Sequence, residues 1–443
     1  MEIVLMLGMG LFLTIRLRGV QFRLFGKALR SLRGSREADR GKDGVSAFQA
    51  VCTALAGTLG TGNIAGVAGA IALGGPGAVF WMSAAALLGM ATKYTEVALS
   101  VRYRRKNTQG EWIGGPMYYI EQGLGTRFRP LAKAFCIFGI MASLGVGNMA
   151  QVGALADSLC TAAASWSMKN HFFAIRCAVG ALAAAAAYCI LKGGLRRVAW
   201  AAERLIPWVS AVYVTGMVCV VVKNIAVLPE ALRQIGECAF TPRAFGGGAA
   251  GIGMMQAARV GVSRGLFTHE AGMGSSPIAH AGAHAATPVR QGLLGIFEVF
   301  ADTLVLCTLT ALGILVSGCD IPYGQSAGAE LTAQAMAAVF GLEAASTMIS
   351  VCLGCFAFST MVAWSFYGLR CAQYLGGRKG ERAYRALFFM ATGAGALLNM
   401  RVIWPLAEGC NFLMALPNLL ALVLLSGEAA RMTKIHLEEK GNC

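Results

Sequence analysis

The sequence predicts an all-α membrane protein of about eleven transmembrane helices, and three observations carry that prediction. The 443 residues are 56% hydrophobic and only 14% charged, with a mean hydropathy of +0.60, whereas a soluble domain carries about 25% charged residues. Apolar runs of roughly 20 residues recur along the whole length, each able to cross a hydrocarbon layer of ~30 Å as a helix. Lys and Arg gather in alternate loops, as the cytoplasmic loops of a multi-spanning protein require. Long continuous apolar runs exclude an outer-membrane barrel, which needs alternating strands of about ten residues.

Taken in order, the runs fall at 2–15, 46–73, 77–101, 131–160, 171–191, 205–227, 246–266, 291–316, 344–370, 385–400 and 403–428. The first opens on Glu2 and is followed by Arg16 and Arg18, the reverse of a signal peptide's basic start and small-residue cleavage site. It reads as a short first span. The loop after it holds nine basic residues between Arg16 and Lys42, which makes it cytoplasmic and places the N-terminus outside. Every second loop repeats the pattern, at 102–129, 192–204, 264–290 and 370–385, and Arg431 and Lys434 mark the tail as cytoplasmic. The intervening loop 317–343 contains no Lys or Arg. The net charge of +16 therefore follows from topology, and no nucleic-acid partner is expected. Of fourteen cysteines, most, such as Cys52, Cys136, Cys307, Cys352 and Cys355, sit in apolar runs without metal-ligand spacing and read as small buried thiols.

With the first span and its basic loop set aside (1–45), ten spans remain. Five lie in 46–227 and five in 246–428, separated by an external linker at 228–245 and followed by a cytoplasmic tail at 429–443. Because five is odd, the second set crosses the membrane in the opposite sense, which makes an inverted repeat. Each half opens on a glycine-rich interruption, GTLGTGNIAG at 57–66 and FGGGAAGIGMM at 245–255. Paired interruptions at corresponding positions point to a transporter's central site. Glycine costs roughly 1 kcal/mol in a helix interior, and unpaired backbone in hydrocarbon costs several kcal/mol per group. An unwound segment persists there only if something satisfies its N–H and C=O groups. A zwitterionic amino acid does so. Its carboxylate meets the amides near Thr61 and Gly62 at the positive end of a half-helix, and leftover carbonyls, with the side-chain oxygen of Asn63, hold a cation such as Na+.

The strings GTGNIAGVAGAIALGGPGAVFWM (60–82), GMATKYTEVAL (89–99), GGPMYYIEQGL (114–124), RGLFTHEAGMGSSPIAHA (264–281) and FAFSTMVAWSFYG (356–368) closely resemble the alanine or glycine:cation symporter family. The resemblance spans nearly the whole chain. It implies a fold similar to the bacterial leucine transporter, a 5+5 inverted repeat with one extra N-terminal helix, in a bacterial or archaeal inner membrane. It further implies uptake of L-alanine, glycine or D-alanine driven by Na+ or occasionally H+, with no cofactor and with Na+ as the co-transported ion. Carried over by motif, the substrate pocket falls on Thr61, Gly62 and Asn63, on Gln151 in GNMAQVGALAD, on Gly251, Met254 and Met255 in the second interruption, and on Thr360 and Trp364. Thr360 and Trp364 are four apart and share one helix face. Trp364 and the two methionines are expected to keep the pocket small. By the same resemblance, Na+ lies between the carbonyls of Ala56 and Leu59 and the hydroxyls of Ser359 and Thr360, with Asn63 bridging to the substrate. The expected partners are a small amino acid, Na+ and membrane lipid, and the protein is read as a monomer.

Other polar residues within apolar runs have two readings each. Lys93 and Glu96, one turn apart, suggest a structural ion pair more than a transport role. Glu298 and Asp302 share a helix face and must point into protein or water, as structural or gating groups. Glu408 stands where relatives more often have Asp, and His269 where they usually have Asn. His269, His280 and His284 lack convincing ligand spacing for a metal. A channel and a membrane enzyme are weaker alternatives: filters arise by symmetric assembly of re-entrant loops, and no convergent catalytic constellation is present.

Overall fold

The computed structural model describes residues 2–37, 45–108, 110–165, 171–191, 193–240, 253–284, 287–398 and 400–441. Its N-terminal part is helical: α1 (Glu2–Arg16), the short turn α2 (Val20–Arg23) and α3 (Phe25–Glu37). The next helix, α4 (Ala47–Thr58), starts on a reciprocal cap. Ser46 Oγ accepts the Gln49 amide and the Gln49 side chain accepts the Ser46 amide, both at 3.0 Å, which satisfies two donors that a helix start leaves open. Beyond a break, a π-turn (Gly62–Gly66) leads into α5 (Val67–Gly74).

Then come α6 (Gly77–Arg102), a small hairpin of β1 (Arg105–Lys106) and β2 (Trp112–Ile113), and α7 (Pro116–Gly123). The strands pair antiparallel, Arg105 opposite Ile113. A long path follows through α8 (Arg129–Leu144), a π-turn (Gly145–Met149), α9 (Ala150–Ser165), α10 (Phe172–Leu191) and α11 (Gly194–Lys223). The stretch expected as a linker carries a helix, α12 (Leu228–Phe240), docked on α6 by Trp81 Nε1 donating to the Ala239 carbonyl at 3.0 Å.

The second part comprises α13 (Met254–His269), the short α14 (Pro277–His280), α15 (Pro288–Val299), a π-segment (Phe300–Cys307), α16 (Thr308–Val316), α17 (Ala329–Phe340), α18 (Leu342–Leu397) and α19 (Met400–Gly441). The spans expected at 344–370 and 385–400 are the two helices of α18, which meet at a kink at Gly377, where φ 56° and ψ −139° are not helical. α19 continues through the expected tail, where Thr433 Oγ1 lies 2.7 Å from the Tyr94 hydroxyl.

Six helices in the described residues are long and apolar enough to cross a membrane. A seventh span is the bent pair made by α4 and Gly62–Gly74, whose halves meet at 53°. The other expected spans correspond to α1, to α13 with 16 residues, and to α6. With 26 residues, α6 is about 39 Å long at 1.5 Å per residue, and it buries Lys93 and Glu96 completely. It packs closely on α13 because Gly261 and Gly265 present no side chain. A Cβ on Gly261 would press into the Ala78 carbonyl, and one on Gly265 would sit 3.0 Å from the Met82 carbonyl, the small-residue contact by which membrane helices approach.

Candidate substrate and cation site

α4 stops where Leu59 turns extended (φ −71°, ψ 96°), and helical bonding resumes as the π-turn at Gly62. Two side chains repair the gap. Asn63 Oδ1 accepts the Gly60 amide at 3.0 Å, and Thr360 Oγ1 donates to the Leu59 carbonyl at 3.2 Å. The Asn63 oxygen, expected to ligate an ion, is thus turned onto its own backbone. Its Nδ2 donates to Asp302 Oδ1 at 2.7 Å. Thr310 and Thr332 donate to the carbonyls of Asn63 and Ile64 at 3.1 and 3.2 Å. The first break is therefore held by the π-segment, α16, α17 and α18 together.

Gly60 faces two expected pocket residues. A Cβ there would lie 3.0 Å from Thr360 Oγ1 and 3.6 Å from Gln151 Oε1. Gln151 Nε2 donates to the Val146 carbonyl at 3.2 Å, while its Oε1, like Thr61 Oγ1, is buried without a hydrogen-bond partner. A buried polar atom left unpaired costs about 1–3 kcal/mol, so two of them beside one backbone break suit a polar ligand. Ala56 and Ser359 line one small cavity with Val198, Ala202, Val362 and Ala363. Ser359 Oγ donates to the Phe356 carbonyl at 2.8 Å. Of the five residues expected around Na+, four are brought together in two pairs, Ala56 with Ser359 and Leu59 with Thr360, while the Asn63 oxygen accepts the Gly60 amide.

Among the described residues, an interruption that meets the first break lies at 270–276, where the expected reading placed a cytoplasmic loop. Glu270 caps α13 in the left-handed conformation (φ 51°), Gly272 and Gly274 also have positive φ, and Pro277 opens α14. This backbone is satisfied by side chains. Lys93 Nζ donates to the Glu270 carbonyl at 3.3 Å and to Ser276 Oγ at 2.8 Å, and Asn418 Nδ2 donates to the Gly272 carbonyl at 2.9 Å. The two broken spans touch: a Cβ on Gly62 would lie 3.1 Å from Thr268 Cγ2. They also join at one end, where the His284 amide donates to the Val45 carbonyl at 2.8 Å.

Residues 241–252, Gly251 among them, lie outside the described residues. Met254 and Met255 are placed differently from expectation. They head α13 in regular helix, 36% and 76% exposed, and do not close over Trp364. Trp364 is 1% exposed. Its Cβ rests against Gly147, which has no room for a side chain, its ring meets Tyr367 edge-on at 5.7 Å, and its Nε1 donates to Glu270 Oε1 at 3.1 Å.

The buried charges pair across helices. Lys93 joins Glu298 at 3.3 Å, not Glu96, because α15 brings Glu298 alongside while Glu96 turns to Asn418 Nδ2 at 2.5 Å. His280 Nε2 lies 3.1 Å from Glu298 Oε2, and Gln291 Nε2 is 2.8 Å from His280 Nδ1. His269 is fully buried at the end of α13, its Nδ1 accepting the Ala271 amide. Arg264, on α13 and not in a loop, pairs with Glu408 at 3.7 Å. Sequence reasoning missed Glu270 and the contact of Asp302 with Asn63. The signal for the first is HEAGMGSSP, an acid followed by alternate glycines and a proline between two apolar helices.

Two interrupted helices packed at their breaks, inside a bundle of apolar spans, define a secondary transporter of the leucine-transporter type. The fold matches the solved structure of MhsT in complex with L-phenylalanine with a TM-score of 0.59 at 13% identity, covering 89% of this chain and 99% of that one. Within that class, residues 1–442 match the sodium:alanine symporter family, and the chain belongs to it. It is 37% identical to the sodium/alanine symporter AgcS of Methanococcus maripaludis, over 99% of this chain and 95% of that protein. It is 42% identical to an uncharacterized transporter of Haemophilus influenzae (98% and 93% covered). It is 35% identical to a Bacillus subtilis protein named "Probable sodium/glutamine symporter GlnT" (99% and 88% covered). The protein is a multi-pass membrane carrier of the amino-acid:cation symport class and not an enzyme.

Proposed function

We propose that the protein takes up a small neutral amino acid, L-alanine or glycine with D-alanine as a further candidate, coupled to Na+ by alternating access. One observation carries this reading: two backbone breaks meet beside Gly62, with Thr61 Oγ1 and Gln151 Oε1 buried and unpartnered at the first. The substrate carboxylate fits the amides of Thr61 and Gly62 and the Thr61 hydroxyl, and its ammonium fits the acceptor oxygen of Gln151. Trp364 walls the pocket against longer side chains, a selection of about 1–3 kcal/mol per methylene. The carbonyls of Ala56 and Leu59 and the hydroxyls of Ser359 and Thr360 supply oxygens without a full negative charge, a set suited to a monovalent hard ion over Ca2+.

The loop charges support an inner (plasma) membrane location, with the N-terminus outside and the C-terminus cytoplasmic. In this reading 46–227 and 246–428 are the two repeats and the monomer is the working unit. Proton coupling is a second reading, favoured by Asp302, a fully buried acid hydrogen-bonded to the neutral Asn63 and Thr303. The test is [3H]alanine uptake into proteoliposomes with Na+ and H+ gradients imposed separately, and with glycine, D-alanine and serine as competitors. Uptake driven by Na+ alone supports the proposal, and uptake driven by pH alone selects the proton reading. Flux without saturation or trans-stimulation would indicate a channel.

A further inference from the structure

We infer that Glu270 is a positioning residue for Trp364 and thereby sets which amino acids the pocket admits. This rests on the reading of Trp364 as a pocket wall. The indole has a single polar atom, and buried in this packing it needs an acceptor. Glu270 Oε1 is that acceptor at 3.1 Å, and Ser275 Oγ holds the other carboxylate oxygen at 2.5 Å. The carboxyl group is thus gripped from both sides.

Its backbone is gripped as well. Glu270 lies in the left-handed conformation at the end of α13, and Lys93 holds its carbonyl at 3.3 Å. The direction of the side chain is therefore dictated by the second break. At the root of the indole, Gly147 leaves no slack against Trp364 Cβ and Cγ, so the remaining freedom of the ring is its tilt about χ2. The hydrogen bond at the far end fixes that tilt. The second break then does more than line up with the first, because it sets the size of the pocket through one carboxylate. Any rearrangement of 270–276 that draws Glu270 away releases the ring.

The test compares valine and alanine uptake in proteoliposomes holding the full-length protein. Glu270→Ala is expected to raise the valine:alanine ratio of kcat/KM about tenfold, on the order of one buried hydrogen bond. Glu270→Gln, which keeps an acceptor oxygen at the same place, is expected to stay near the wild-type ratio. Should Glu270→Ala fail to reach the membrane, Ser275→Ala, which loosens the same carboxylate, is expected to move the ratio in the same direction. An unchanged ratio in Glu270→Ala or, where that variant is lost, in Ser275→Ala overturns the inference, as does a Gln variant that shifts as far as Ala. Trp364→Ala separates the two levels. If it changes the ratio while the Glu270 and Ser275 variants do not, the pocket reading stands and the positioning role is lost. If Trp364→Ala itself leaves the ratio unchanged, the pocket reading falls, and this inference with it.

Discussion

Thr360 on α18 donates its hydroxyl to the Leu59 carbonyl across the first break, at 3.2 Å. The same carbonyl and hydroxyl are proposed as two of the oxygens around Na+, so removing the hydroxyl loosens the cation site and the broken backbone together. Thr360→Ala is expected to lower alanine uptake at limiting Na+ about tenfold, the effect of one buried hydrogen bond, and to raise the Na+ concentration for half-maximal uptake. Thr360→Ser, which keeps the oxygen, is expected to retain most of the uptake. Na+ titrations of the two variants check this, and an unaltered Na+ dependence in Thr360→Ala would remove Thr360 from the cation site.

Asn63 ties the Gly60 amide to Asp302. Asn63→Ala strips the break of its cap and leaves a fully buried carboxyl with one partner fewer. A loss of about 2–4 kcal/mol follows from two buried hydrogen bonds, one of them to an ionisable group. Thermal unfolding in detergent measures it, and transport is expected to fall further than stability alone explains.

Lys93 and Glu298 form a fully buried ion pair at 3.3 Å. Breaking such a pair from one side costs about 3–5 kcal/mol, because the remaining charge is stranded, whereas replacing both partners is far less costly. Lys93→Met is expected to unfold at markedly lower temperature, and Lys93→Met combined with Glu298→Gln to recover much of the loss. A double variant less stable than either single one contradicts the pairing.

Glu111, beside the β1–β2 hairpin, lies 2.9 Å from Arg370. Burial alone would raise its carboxyl, but the hydrogen bond and charge of Arg370, with help from Asn107, outweigh burial and hold it below its usual value of 4.5. Since the folded value is depressed, the tether is present above pH 4.5 and is lost as pH falls through the folded value. Hydrogen exchange in the hairpin is expected to accelerate over that interval, and Arg370→Ala to abolish the pH dependence.

The first break was legible because GTLGTGNIAG contrasts so sharply with its apolar surroundings, and Thr360 and Gln151 both lie beside Gly60. The break at 270–276 was not. FGGGAAGIGMM, with five glycines, stands out in the sequence but lies mostly outside the described residues, whereas HEAGMGSSP has only two glycines and follows Thr268, which packs beside Gly62. Asn63 was singled out correctly as a residue of the break, yet the direction of its oxygen depended on Asp302, more than two hundred residues away in the chain.

From the sequence alone came the membrane-spanning class, the broken first helix and the symporter motifs, because hydropathy and helix-breaking residues act locally and add along the chain. Tertiary structure alone decided that Lys93 joins Glu298 and not its neighbour Glu96, that Met255 stays exposed, and that Glu270 reaches Trp364. A buried polar group takes whichever partner the packing of distant helices brings within about 3 Å, and that distance is written nowhere in the order of residues.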